Sequence, residues 1–598
     1  MDNLRHETLR SVFLYLSILA VATLPTHAQE LRMEARASVG DGWHPWYEIK
    51  ADPESSKNLI ICGSKWDSST NAFLGFVHAS SDGGTSWHAV LEDRNTTWVT
   101  EHSCAFGSNH RAYFISEASK VVDGESNHRL GTTRLYVSSD GGQQWTETFK
   151  TGWADWSTSA VSSASSRLYT FFNSRNTAEP GRNWGSNVGL LVFSPDGKNI
   201  SGPFFDSTMQ GLGYHGVYPS YAIPLKSGSV VALYQGMAGP PWQQADLGII
   251  RASPSLEPSL ESTVISHTIL GKDCGLLDKG SLAYDSERNR LYVLYGDGCK
   301  NRRVMLSSSD DEGRTWTKGV GIVNPQNPNR TIEHPSLVAG PGGVLGLLWR
   351  EGQESVRWYF SYIREQNLVE PPTELSRTSN DSISNDSLYL FIFQADERHG
   401  GNPNTPSNPS ITLNVAGKLN NVFRSSGLIA TADKFLAVWS SGDSNGMRLY
   451  SGLLSPVGSS SKARNSTDPK EASDPDATKD SVILYGGMQR FDSSTGTLKV
   501  CLVFANRGDK PIKSPIKLEA LDLKSPIGAI SALNATNGLT GTGAIWDISD
   551  SVTGNQVPPR ASSNPFCLSF HLETTPGKDL PEERRNLLMI KLKVLVSH

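Results

Sequence analysis

The sequence predicts an all-β chain: a β-propeller of about seven blades, about six being the alternative count, followed by a C-terminal β-sandwich. Three observations predict it. The string Ser309, Asp311, Gly313, Thr315, Trp316 has earlier counterparts in Ser80, Asp82, Gly84, Trp87 and in Ser138, Asp140, Gly142, Trp145. Its serine recurs at Ser80, Ser138, Ser194, Ser253, Ser309 and Ser361, always 52 to 59 residues after the last, and such a period marks an array of supersecondary units. Each serine closes a short apolar strand, with further strands before it such as SLAYD and RLYVLYGD, and no helical period interrupts them.

Inner strands are expected to start near Trp46, Ser103, Thr158, Pro219, Gly280, Pro335 and Ser426. A last apolar strand, RLYSGLLS, ends at Ser455 after an insertion and has no outer strand following it. Leu31 to Ser38 is assigned to that place, so that the start of the array pairs with its end and leaves no long edge. In the repeated turn a Ser or Asp side chain binds nearby backbone, Gly supplies positive φ and Trp packs between sheets. These aspartates are therefore read as structural.

Residues 1–28 read as a signal peptide: Arg5 and Arg10 precede an apolar run, and Thr26, His27, Ala28 offer a cleavage site. The propeller is assigned to 29–455, a polar linker to 456–479 and the sandwich to 480–598. A secreted or periplasmic location follows, and there the six cysteines oxidise. Cys62 with Cys104, Cys274 with Cys299 and Cys501 with Cys567 would each stay within neighbouring strands or one domain, although spacing alone does not fix connectivity. No CxxC spacing supports a metal, no cofactor is expected, and nothing after residue 30 is long and apolar enough to span a bilayer. A net charge of -5 without a basic stripe argues against nucleic acid, leaving a glycan or polysaccharide as partner of a monomer.

The repeated SxDxGxTW turns, on four-stranded units of this length, resemble the Asp-box (BNR) repeats of the sialidase-like propeller superfamily over roughly residues 31 to 455. Sialidases of that group hold a substrate carboxylate with an arginine cluster, use an Asp as acid/base and a Glu-activated Tyr as nucleophile. The resemblance implies Glu333 and Arg350 as the family's Glu and second Arg, flanking a Gly turn, with Tyr359 or Tyr362 downstream. The first unit has no RIP-type string, and the Glu333 to Arg350 separation is slightly longer than the family's.

Propeller geometry leads independently to a site. Residues just before each inner strand ring the funnel mouth, opposite the SxDxGxTW turns. These are His44, Glu101 and His102, Asp155 and Trp156, Tyr214, His215 and Tyr218, Asp278 and Lys279, Glu333 and His334, and Arg424. Loops after the second strands add Lys65, Trp66, Asp67, Glu117, Arg175, Arg350 and Glu351. Glu333, Asp155, Arg350, Tyr359 and Glu101 are the candidate catalytic groups; His44, Trp66, His102, Trp156, His215, Tyr218, Asp278, Lys279, His334 and Arg424 are the candidate substrate contacts. Carboxylates can protonate a glycosidic oxygen or activate water, histidines move protons near neutrality, cations hold a uronate or sialate, and Trp stacks on sugar rings. The bland alternatives are an Asp that caps a turn and a His that binds a neighbouring loop. The expected function is a glycoside hydrolase of sialidase-like type, with a polysaccharide lyase or a non-catalytic glycan- or protein-binding propeller as alternatives.

Overall fold

The computed structural model describes residues 31–38, 44, 46–67, 72–94, 99–118, 132–151, 157–173, 187–210, 212–238, 244–269, 280–296, 303–323, 332–351, 357–364, 368–369, 372–375, 387–393, 413–416, 424–431, 434–443, 446–454, 482–492, 495–506, 510–525, 528–559, 561–573 and 586–596. Strand is their main regular structure, with one short α-helix, Ser207–Gln210, among them. The proposed signal peptide, the polar linker and the pair Cys274 and Cys299 lie outside the described residues.

Apart from Ser387–Phe393 and Leu413–Ala416, the described strands up to Leu454 form seven sheets. The first holds Trp46–Asp52, Ser55–Asp67, Ala72–Ser80 and His88–Asp93, joined by Arg424–Ser426 running parallel to Trp46–Asp52. The second holds Val99–Phe106, Ala112–Ala118, Thr132–Ser138 and Thr146–Thr151. The third to the sixth begin with Thr158–Val161, Tyr214–Pro224, Ser281–Asp285 and Ile332–Ala339. The seventh orders Leu428–Ala430, Phe435–Asp443, Gly446–Leu454 and, as its outer strand, Leu31–Arg36. That last pairing runs antiparallel with Leu31 opposite Leu454 and Arg36 opposite Tyr450, as the sequence reading expects.

Adjacent sheets share apolar clusters. Ile60 and Val77 of the first meet Phe114 and Tyr136 of the second. Tyr47 of the first also joins Leu348 and Trp358 of the sixth and Phe435 of the seventh in one cluster. Each first strand touches the next in turn, and Leu428–Ala430 touches Trp46–Asp52. Central strands such as Leu168–Asn173 and Leu345–Glu351 are buried at every position, because both their faces are covered. The outer Ile200–Phe205 has no such cover and is largely exposed.

The seam between the first and seventh sheets is tied by side chains. Trp87 Nε1 donates to Ser451 Oγ at 3.1 Å, and the buried His78 donates through Nδ1 to Ala37 O at 3.3 Å. The SxDxGxTW turns use up their own polar groups: Asp82 accepts from the backbone N–H of Thr85 at 3.0 Å and of Ser86 at 2.9 Å, while Ser80 Oγ accepts from Gly84 N–H at 2.9 Å. Asp140 and Asp311 repeat the pattern, and Gly84, Gly142 and Gly313 take φ of 91°, 90° and 87°.

Several strands start earlier than their apolar runs suggest. Val99–Phe106 contains Glu101 and His102, Tyr214–Pro224 contains His215 and Tyr218, and Ile332–Ala339 contains Glu333 and His334. The reading that these residues precede their strands is corrected: ladder hydrogen bonds are made by backbone, so a polar side chain does not end them. The register slips beside these residues, at Val99/Glu101, Tyr214/Gly216 and Glu333/Ser336. Bulges of this kind re-aim side chains.

Beyond residue 480, Val482–Asp492, Thr497–Asn506, Phe566–Leu572 and Ile530–Ala532 form one sheet. Ile516–Lys524, Ile545–Asp547 and Asn586–Val596 form another, and both face one cluster containing Val500, Leu502, Leu518, Trp546 and Ile590. The second sheet also takes Ser387–Phe393 and Leu413–Ala416, with Leu390 opposite Ile590. These strands, which fall in the insertion before RLYSGLLS, therefore complete the C-terminal sheet. The cystines Cys62–Cys104 and Cys501–Cys567 are formed, one linking the first two sheets and one crossing a strand pair.

Candidate functional site

In the first, second and fifth sheets, which carry the SxDxGxTW turns, the start of the first strand lies level with the last residues of the second, and the turns lie at the opposite end. In the first sheet Trp46 is opposite Ser64, but Ser80 is opposite Leu59. Glu48, His102, Glu117, Arg134, Arg350 and Glu351 are buried towards the first of these two ends, while Asp52 and Asp285 are buried at the turn end.

Glu48 projects from Trp46–Asp52 towards the second sheet. Its Oε1 accepts the Cys104 N–H at 2.5 Å and lies 3.6 Å from Cys62 Sγ, and its Oε2 pairs with Lys50 Nζ at 3.1 Å. The ligating atoms of Glu48, Cys62 and His102 all lie within 4.8 Å of one another. Opposite His102 in the register stands Ser116, whose Oγ donates to the buried Asp93 at 2.7 Å. Next in that row is Arg134, buried and bonded through Nη1 to both Glu147 oxygens at 3.0 and 2.8 Å. Burial, with Asp93 and Glu147 nearby, pushes the Tyr136 hydroxyl far above its usual range. Glu117, directly opposite Glu101, accepts the Ser157 N–H at 3.2 Å and so reaches the third sheet. Charges in such a dry interface persist only with partners, and here hydrogen bonds and ion pairs supply them.

The sixth sheet contributes a second group. In the backbone register Glu333 stands opposite Arg350, and Arg350 stands opposite Trp358 on the next strand, so Arg350 and Trp358 share a face of the sheet. Arg350 is 1% exposed. Glu351 is buried on the other face and accepts Trp349 Nε1–H at 3.1 Å. Tyr359 stacks on Trp349 with centroids 5.8 Å apart, inside the apolar cluster shared by the fifth and sixth sheets.

In the fourth sheet Tyr214 donates to Asp246 Oδ2 at 2.7 Å, and His267 pairs through Nδ1 with the other oxygen. Burial, then Tyr234 and Asp246, raise the Tyr214 hydroxyl well above its usual range. Tyr218 is half-buried on the same strand.

His102 thus stands beside Glu48, and the backbone of Glu333 is in register with that of Arg350. His44 is 1% exposed and edge-on to Phe76 at 5.0 Å, in the seam between the first and seventh sheets. Asp155, Trp156, Asp278 and Lys279 lie outside the described residues, as do the side chains of Trp66, Glu101, His215, Glu333, His334 and Arg424. Sequence reasoning missed Glu48, Asp93 and Arg134. The available signal was a charged residue inside an apolar strand, as in WYEI and RLYV.

Among comparisons with known proteins, no family model and no curated protein matches this chain. Solved structures do. An ulvan lyase from a new family of polysaccharide lyases is 10% identical, with a TM-score of 0.40 over 70% of this chain and 95% of its own. A Trypanosoma rangeli sialidase is 11% identical, with a TM-score of 0.33 over 95% of each chain. The β-propeller domain of the Pyrococcus furiosus trilobed protease is 8% identical, with a TM-score of 0.34 over 73% of this chain and 100% of its own.

Proposed function

We propose that the chain is a secreted carbohydrate-active enzyme, a glycoside hydrolase of sialidase-like type acting on an extracellular glycan. In this reading the first seven sheets are the blades of a propeller over residues 29–455, preceded by a signal peptide, and 480–598 form a sandwich to which 387–416 lends two strands. The observation that supports the proposal is where ionisable residues fall along the strands of the first, second, fifth and sixth sheets. The SxDxGxTW carboxylates are saturated by their own turns at one end, while Glu48, His102, Glu117, Glu333, Arg350 and Glu351 lie towards the other. Arg350 would hold a substrate carboxylate and Glu333 would act as acid, base or activator of a nucleophile, with Asp155, Glu101 and Tyr359 as further candidates.

The proximity of His102 to Glu48 favours a second reading, a polysaccharide lyase in which His102 takes the proton beside a uronate carboxylate. One screen separates the two. Purified protein is incubated with neutral, sialylated and uronate glycans, and both reducing ends and near-ultraviolet absorbance are followed. New reducing ends without absorbance support the hydrolase, and absorbing unsaturated ends the lyase. Glycan binding without turnover overturns both readings in favour of a binding propeller.

A further inference from the structure

We propose that reduction of the Cys62–Cys104 disulfide converts the corner between the first two sheets into a zinc site, with Cys62, His102 and Glu48 as ligands and the freed Cys104 thiolate as the fourth. Three separate strands deliver the first three donors: Trp46–Asp52 carries Glu48, Ser55–Asp67 carries Cys62, and Val99–Phe106 carries both His102 and Cys104. The ligating atoms of Glu48, Cys62 and His102 already lie within 4.8 Å of one another. Zinc bonds of about 2.3 Å to sulfur and about 2.0–2.2 Å to nitrogen and oxygen hold ligand atoms roughly 3.3–3.8 Å apart, so the corner must tighten by about an ångström. The Cα atoms of the two cysteines are 6.4 Å apart, and breaking the S–S bond frees the Cys104 side chain to turn towards the ion.

The donor set selects the metal. Two thiolates, an imidazole and a carboxylate suit zinc in tetrahedral geometry and suit neither magnesium nor calcium. Charge also closes: two thiolates and Glu48 outweigh the ion by one negative charge, and Lys50, 3.1 Å from the outer oxygen of Glu48, supplies the opposite one. The reductant is a dithiol. It gives two electrons and two protons to the protein S–S bond and leaves as its own disulfide; zinc then displaces both thiol protons into water.

The test uses cobalt(II) as a spectroscopic probe on the full chain. Protein is reduced with a water-soluble phosphine, peptide mapping verifies free Cys62 and Cys104, and the reductant is removed without air. The expected result is a tetrahedral thiolate–cobalt spectrum in the reduced protein, absent from the oxidised protein and abolished by zinc. His102→Ala and Glu48→Gln keep every cysteine, and each should weaken cobalt binding by about tenfold or more. Cys62→Ser should remove the spectrum, but if that variant does not fold the other two decide. The proposal is overturned if reduced protein gives no such spectrum, if His102→Ala and Glu48→Gln bind cobalt like the parent, or if the reduced chain unfolds before it takes up metal.

Discussion

At the scale of single residues, Glu333 is proposed to act on substrate and His78 to serve the fold. Glu333→Gln should lower turnover by about a hundredfold while leaving the melting temperature unchanged. An unaltered rate on a substrate found by the glycan screen would remove Glu333 from the mechanism. His78 makes the opposite kind of prediction, on stability alone. Burial first, then the neighbouring His44 and Lys65, pull its pKa down to about 3 from the ordinary 6.5. The folded ring is neutral, so its contribution is fully present above pH 6.5 and is lost as pH falls from there towards about 3, where the unfolded chain binds a proton that the folded one excludes. Denaturant titrations should show stability falling by up to about 1.4 kcal/mol per pH unit in that window. His78→Phe should flatten this acid limb; an identical pH profile in the variant would show that other groups set it. Of the residues treated at this scale, the sequence singled out Glu333 by its neighbours but not His78, because nothing in FVHAS says which face of the strand is dry.

At the scale of elements, the repeated turns behave as clasps. Asp82 is held at about 2, the upward push of partial burial being outweighed by hydrogen bonds from Ser86, Ser80 and Thr85, so it stays ionised throughout the neutral range. Trp87 reaches from its turn to Ser451 on the strand that receives Leu31–Arg36. Trp87→Ala should therefore cost about 3–5 kcal/mol in stability, seen as a lower midpoint in urea, with kcat/KM unaffected at temperatures where the variant is folded. A midpoint within error of the parent would mean that the seam does not depend on the indole. These clasps were legible in the sequence because Ser, Asp, Gly and Trp act over a few residues of chain. The interface row from His102 through Ser116 to Asp93 and Arg134 was not, since it depends on register across separate strands and on which sheet faces which.

At the scale of the whole molecule, two of the long-range strand pairings among the described residues can be tested directly. A chain that begins at residue 39 lacks Leu31–Arg36 and leaves Gly446–Leu454 with an open edge. Compared with a chain beginning at 29, it should unfold at lower temperature and self-associate in light scattering; equal melting and monodispersity would exclude the closing role. The second pairing joins Ser387–Phe393 to Asn586–Val596. A protease cut placed between 456 and 479 should consequently leave two fragments that co-elute in size-exclusion chromatography and separate only in denaturant. Fragments that part in native buffer would show that this pairing does not hold the two halves together.

The sequence by itself determined what depends on local chemistry: the all-β class from strand-length apolar runs, the repeat from its period, the turns from Ser, Asp, Gly and Trp, and the pairing of the first strand with the last from a unit one strand short. Its proposal of a ring of polar groups opposite the turns also came from the repeat, since any array fixes which ends of its strands fall together. Tertiary structure alone decided which polar groups meet. Glu48 meets His102 and the Cys62–Cys104 bridge because two sheets pack face to face, the backbone of Glu333 comes opposite Arg350 beside a register shift, and SLYLFIF pairs with a strand almost two hundred residues on. In each case the deciding quantity is the free energy of covering a face and pairing an edge, and that is set by elements remote in the chain.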